Sequence, residues 1–145
     1  MKRVLLFGGS GFLGRAIFKE LHPYMDVYGT YCSQTHYENN KRYMQYDYRE
    51  DSPLKVLRRF KPDVIISCLR GDVDEQFIAH DMIIDYAFKK EAKIIFLSSA
   101  NVFDGFWHYP SYEHDKTYSE SNYGLLKIKI ENKIMRMPPF SWAIA

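Results

Sequence analysis

Gly8-Gly9-Ser10-Gly11-Phe12-Leu13-Gly14 stands directly after the apolar run Arg3-Val4-Leu5-Leu6-Phe7 and opens the amphipathic stretch Phe12 to Leu21. Four of the chain's eight glycines fall within it. A strand, a glycine turn and a helix in that order make a phosphate cradle. Gly8 permits the tight turn, Gly11 lets backbone approach a pyrophosphate, and Gly14 lets the helix pack closely on the sheet. The helix amino terminus then presents unpaired N–H groups and a positive dipole end to the anion. The weight of the motif comes from its place between strand and helix, since a glycine triplet alone is weak.

The same alternation runs outward from the loop. Met25–Tyr31 and Arg42–Tyr46 read as second and third strands, and Ser52 caps a helix to about Phe60. Pro62-Asp63 turns the chain into the strand Val64–Ser67. Glu75–Lys90 has helical spacing through Phe77, Ile78, Met82 and Tyr86, and the strand Lys93–Ser98 follows. Residues 104–121 read as irregular, and Asn122–Arg136 as a helix with Leu126, Ile130 and Ile134 on one face. Short strands apolar on both faces, alternating with helices, predict a parallel sheet covered by helices. Right-handed crossovers make this a doubly wound, three-layer α/β/α fold of the Rossmann-like type. Pro138-Pro139 stops the last helix, and Phe140–Ala145 begins a sixth strand that breaks off without a turn. That ending predicts that the polypeptide once continued.

Length and composition fit one soluble domain: 145 residues, 46% hydrophobic and 26% charged. A net charge of +2 offers no domain-wide field for phosphate backbones, which argues against nucleic acid as a partner. No apolar run approaches the ~20 residues of a membrane span, and the first run is too short for a secretory signal. A cytoplasmic protein is the expectation. Cys32 and Cys68 follow apolar stretches and read as buried thiols. His22, His36, His80, His108 and His114 lack paired ligand spacing, so no metal site is expected.

An acid normally ends the second strand and grips the ribose 2′-OH of NAD. Here the segment is Gly29-Thr30-Tyr31-Cys32-Ser33-Gln34, without a carboxylate. Arg15, Ser33, His36, Lys41 and Arg42 are candidates to receive a 2′-phosphate, which favours NADP and leaves NAD as the alternative. Asp47 is placed to accept from the adenine amino group.

Tyr123 and Lys127 put a phenol and an ammonium on one helix face. A cation there favours the phenolate, so the tyrosine can exchange a proton with a substrate oxygen. The spacing alone proves nothing. With 12 tyrosines and 12 lysines, chance gives about one such pair. The sequence holds four: Tyr37–Lys41, Tyr86–Lys90, Tyr112–Lys116 and Tyr123–Lys127. Only the last opens a helix after a strand ending in a hydroxyl pair, Ser98-Ser99. Ligands of parallel sheets bind beyond such strand ends.

Gly8 to Gly14, Ser98-Ser99-Ala100-Asn101-Val102-Phe103-Asp104-Gly105 and Tyr123 to Lys127 together resemble the extended short-chain dehydrogenase/reductases. Val102-Phe103-Asp104-Gly105, Glu113, Asp115 and Glu131 are most similar to the dTDP-4-dehydrorhamnose reductase branch. The resemblance implies an NAD(P)-dependent reductase of a nucleotide-activated deoxysugar ketone. Ser99 would orient the carbonyl, Tyr123 act as general acid, and Lys127 hold the nicotinamide ribose and tune Tyr123. The expected cofactor contacts are Gly8, Gly11, Phe12, Leu13, Gly14, Tyr31, Ser33, Asp47, Tyr48, Cys68, Leu69, Arg70, Tyr123 and Lys127. Residues 1–145 would then be the NAD(P)-binding domain alone, with the carboxy-terminal substrate domain absent. Relatives that pair through helices imply a homodimer.

The chain departs from that pattern in places. Phe7 replaces a threonine, and Ser67-Cys68-Leu69-Arg70-Gly71 replaces a small, alanine-rich run over the cofactor. Ser119 replaces a proline, and the segment before the helix from Glu75 is short. Arg70 either touches a phosphate or intrudes on the nicotinamide pocket. A nucleotide-sugar epimerase and a non-catalytic cofactor-binding subunit are the rival readings. A dehydratase fits less well, because Ala100-Asn101 supplies no acid pair. Phe106, Trp107, Tyr109 and Tyr112 form an aromatic loop fit to line a substrate cleft or to pack on another domain.

Overall fold

A computed structural model describes residues 1–106 and 110–145. Its strands are β1 (Arg3–Phe7), β2 (Asp26–Tyr31), β3 (Tyr43–Gln45), β4 (Val64–Ser67), β5 (Lys93–Phe96) and β6 (Trp142–Ile144). They form one sheet in the order β3-β2-β1-β4-β5-β6. Every neighbouring pair is parallel. The helices are α1 (Phe12–Leu21), α2 (Pro53–Phe60), α3 (Val73–Lys90) and α4 (Asn122–Ile134). The chain winds outward from β1 to β3, then crosses back to β4 and winds the other way. The point of reversal lies between β1 and β4, where a crevice opens beyond the strand ends. The expected doubly wound fold is present.

Alternation along β1 divides the core. Leu5 and Phe7 point to one face, where they join Val56, Leu57, Ile83, Leu126 and Ile130 of α2, α3 and α4. Val4 and Leu6 point to the other, with Val27, Ile66 and the α1 side chains Ile17, Phe18 and Leu21. The two helical layers are therefore unequal, three helices against one. Lys133 of α4 pairs with Asp81 and, at 3.7 Å, with Asp85 of α3, which ties two of the three together.

Several boundaries move from their expected places. α3 starts at Val73, two residues early, with Asp72 as N-cap and Asp74 and Glu75 in its first turn. Those carboxylates suit the positive end of the helix dipole. β3 is shorter than expected, although the backbone of Arg42 and of Tyr46 at its two ends still bonds to β2, through Gly29 N to Arg42 O (2.9 Å) and Tyr46 N to Tyr31 O (2.8 Å). Cys32 and Cys68 are partly rather than fully buried, each one residue past the end of β2 or β4, and Cys68 still packs against the core of Val4 and Leu6. The apolar run stops at the strand end, and the next side chain meets the crevice. Trp107, His108 and Tyr109 lie outside the described residues. Of their neighbours, Phe106 packs edge-on against Tyr118, and the exposed Tyr112 stacks on His114.

Candidate active site

The glycine turn is built by backbone. Gly8 has φ +78° and donates to Thr30 Oγ1 at 2.9 Å. Ser10 N reaches Thr30 O at 3.1 Å, so the turn is tied to β2. A Cβ on Gly14 would lie 2.2 Å from Gly8 O, a closeness that only glycine allows. Arg15 N is the first to bond back along α1, to Gly11 O at 2.9 Å. The N–H groups of Phe12, Leu13 and Gly14 therefore precede the helix's own ladder.

Those groups face a cleft of about 720 Å³ at the carboxyl ends of the strands. Small-molecule sites occupy about 300–1,000 Å³. Gly8, Gly11, Phe12, Leu13, Gly14, Tyr31, Asp47, Tyr48, Cys68, Leu69, Arg70, Tyr123 and Lys127 all line it. Two of the expected residues do not. Ser33 is exposed outside its wall. Ser99 has its hydroxyl turned to its own loop, donating to Asn101 Oδ1 at 3.0 Å and accepting from Asn101 N at 3.2 Å. The wall also holds Ser98, which the sequence offers only as half of a hydroxyl pair, and Arg49, which no sequence pattern marks.

At the β2 end of the cleft, Asp47 grips Arg49. Oδ1 accepts from Nε at 2.9 Å and from the Arg49 backbone N at 3.0 Å, and Oδ2 accepts from Nη2 at 2.7 Å. The Cys32 thiol also donates to Oδ2, at 3.6 Å. The guanidinium holds the Asp47 carboxyl far below the usual carboxylate range. Burial, with Asp47 beside it, raises the Cys32 thiol. The basic residues expected here lie elsewhere. Arg42 is bound to Asp26, and Lys41 lines a separate cleft with Arg3, Asp26 and Tyr28 at the opposite end of the sheet. Arg15 and His36 are exposed and outside the wall.

At the β5 end, α4 presents a buried row. Lys127 is 2% exposed and Glu131, one turn on, 6%. The Lys127 ammonium donates to Leu97 O at 3.0 Å and stands 5.5 Å from the Tyr123 ring centroid and 4.6 Å from that of Phe96. Burial first, and the like charge of Arg70 second, push its pKa down to about 8, against the opposing pull of Glu131. Ser98 Oγ donates to Glu131 Oε1 and so holds that carboxylate in place.

The start of α4 is pinned by Asp104. Its Oδ2 accepts from Ser121 Oγ at 2.7 Å, and Ser121 Oγ accepts from Gly124 N at 3.0 Å. A Cβ at Gly124 would lie 2.4 Å from Asn101 O, so the Ala100–Phe103 turn packs hard on α4 beside Tyr123. Behind the wall, His80 is fully buried with Nδ1 2.7 Å from Gln76 O and Nε2 2.7 Å from Ser67 Oγ. A carbonyl only accepts, so Nδ1 carries the proton and Ser67 donates to Nε2. Burial lowers the His80 pKa to about 4.

A glycine turn at β1, a cleft across the switch point and a Tyr-Lys pair on the last helix agree with one comparison in particular. The sequence pattern of the NAD dependent epimerase/dehydratase family matches residues 4–136. The chain belongs to that family. No curated protein matches it. Among solved structures, a hypothetical dTDP-4-dehydrorhamnose reductase from Sulfolobus tokodaii is 26% identical, with a TM-score of 0.74 over 90% of this chain and 51% of the other. A dTDP-4-dehydrorhamnose reductase from Clostridium acetobutylicum is 27% identical, with a TM-score of 0.71 over 98% and 51%. A third, from Bacillus anthracis and in complex with NADP, shares 21% identity and the fold (TM-score 0.73, 99% and 52%). This family member thus spans about half the length of the solved structures it matches.

Proposed function

We propose that the chain is the cofactor-binding part of an NADP-dependent reductase acting on a keto group of a nucleotide-activated deoxysugar. One observation carries the reading: the glycine turn and the Tyr123–Lys127 pair open onto the same cleft. The likeness to the Sulfolobus and Clostridium reductases supports the substrate class.

The residues fit a dinucleotide. The close approach of Gly14 to Gly8 O leaves the first turn of α1 bare for a diphosphate, and Arg70 is exposed on the wall to meet it. Tyr31, Asp47 and Tyr48 would hold the adenosine end and Cys68 and Leu69 the middle. A bound nicotinamide would supply the hydride. Lys127 spends one N–H on Leu97 O, which leaves two for the ribose hydroxyls. Its positive charge beside the phenol favours proton release from Tyr123 to the substrate oxygen. Ser99 orients the carbonyl once its hydroxyl rotates off Asn101.

Titration of the chain with NADPH and NADH, followed by nicotinamide fluorescence and melting temperature, tests the cofactor half of this reading. Saturable binding with a raised melting temperature is expected. A folded chain that binds neither would refute it.

A further inference from the structure

We propose that Arg49 selects NADP over NAD by taking the adenosine 2′-phosphate on the free edge of its guanidinium. The assignment deepens the cofactor reading above and rests on it.

The end of β2 is where a ribose 2′ substituent meets the protein in this fold class. Cys32 stands there with no carboxylate of its own segment, and its thiol touches Asp47 Oδ2 at 3.6 Å. The bonds to Asp47 bring the Arg49 guanidinium to the same spot. Three contacts to one carboxylate, one of them from the backbone, fix the direction of the fork before any ligand arrives. A guanidinium carries five N–H donors. Two point at Asp47, and three remain on a side chain that is 54% exposed. An oriented fork matches a phosphate in both geometry and charge.

Asp47 itself is the competing candidate, as a stand-in for the missing ribose acid. Both its oxygens are already engaged by Arg49 and Cys32. With two donors on each oxygen, accepting a 2′-OH would displace a contact from Arg49 or from the Cys32 thiol. The neutralised carboxylate also repels an incoming phosphate less than a bare one would. The other cations of the cleft, Arg70 and Lys127, stand together at the β4 and β5 ends.

The test uses the chain with four ligands: NADPH, NADH, 2′,5′-ADP and 5′-AMP. The wild type should prefer NADPH and 2′,5′-ADP, and the preference should shrink as salt rises. Arg49→Ala should weaken those two by about tenfold to a hundredfold and leave NADH and 5′-AMP no weaker, since Asp47 is then free to accept a ribose hydroxyl. Arg49→Lys, which keeps charge and loses the fork, should fall between. Lys41→Ala should change nothing. A wild-type preference for NADH, an equal loss for all four ligands in Arg49→Ala, or a ratio that follows Lys41 would overturn the assignment. Failure of all four to bind the folded wild type would instead sink the cofactor reading, and Arg49's role with it.

Discussion

At Lys127 an ammonium sits under an aromatic ring, out of water, with Arg70 as a like-charged neighbour. Glu131, held by Ser98, is the charge that works in the other direction. Glu131→Gln should therefore move the Lys127 midpoint below about 8. Side-chain NMR of the lysine Nζ would read the shift directly, and an unmoved midpoint would remove Glu131 from the account. Tyr123→Phe keeps the ring that faces the ammonium and deletes the proton. Under the reductase reading proposed above, turnover should drop about a hundredfold to ten-thousandfold, with NADPH affinity retained. Unchanged turnover would dismiss Tyr123 as the acid.

At the scale of elements, α1 and α3 are fastened in different ways. α1 lies on the glycine turn so closely that Gly14→Ala must displace one of them. About 2 kcal/mol of stability should be lost, in the range of other overpacked sites, and chemical denaturation would measure it. α3 is fastened to β4 by His80 and Ser67. Between about pH 4 and the ordinary imidazole pKa near 6.5, the unfolded chain binds a proton that the folded chain refuses. The His80 contribution is thus fully present above pH 6.5 and is lost as pH falls toward 4. Urea titrations at pH 7 and pH 5 should show that loss, and His80→Leu should flatten it. An equal slope in the variant would mean that other groups set the acid limb.

These elements also mark what could be read from residues. The glycine turn, the strand order of events along the chain and Tyr123–Lys127 were legible, because periodicity and glycine placement reflect backbone geometry directly. Arg49 was not, since an exposed arginine past a strand carries no pattern, and its meaning comes from Asp47 folding the side chain back toward Cys32. His80 lacks paired ligand spacing, and its actual partners, a carbonyl and a serine, leave no pattern in the sequence. The cysteines were misjudged by extending an apolar run one residue beyond the strand that explains it. Ser98 and Ser99 are adjacent in sequence yet face opposite ways, so spacing could not decide which one the cleft receives.

At the scale of the whole molecule, one face of the sheet carries α2, α3 and α4, and the other is covered by α1. Most of the larger core comes from residues after Pro62. A fragment ending at Lys61 would hold β1, β2 and β3 with little to bury them. It should show no cooperative melting transition by circular dichroism, whereas the 145-residue chain should; a folded fragment would show that the α1 face suffices.

The pairing of Val4 with Val64 carries a consequence for biosynthesis. β1 is the sheet's central ladder, yet one of its edges stays open until residues some sixty positions later leave the ribosome. At about 5–20 residues per second that wait is roughly 3–12 s. Throughout it, Val4-Leu5-Leu6-Phe7 offers an unpaired, wholly apolar edge to any other nascent strand. The order of strands that creates the crevice thus leaves this one edge of β1 open to mispairing for longer than any local strand pair would be.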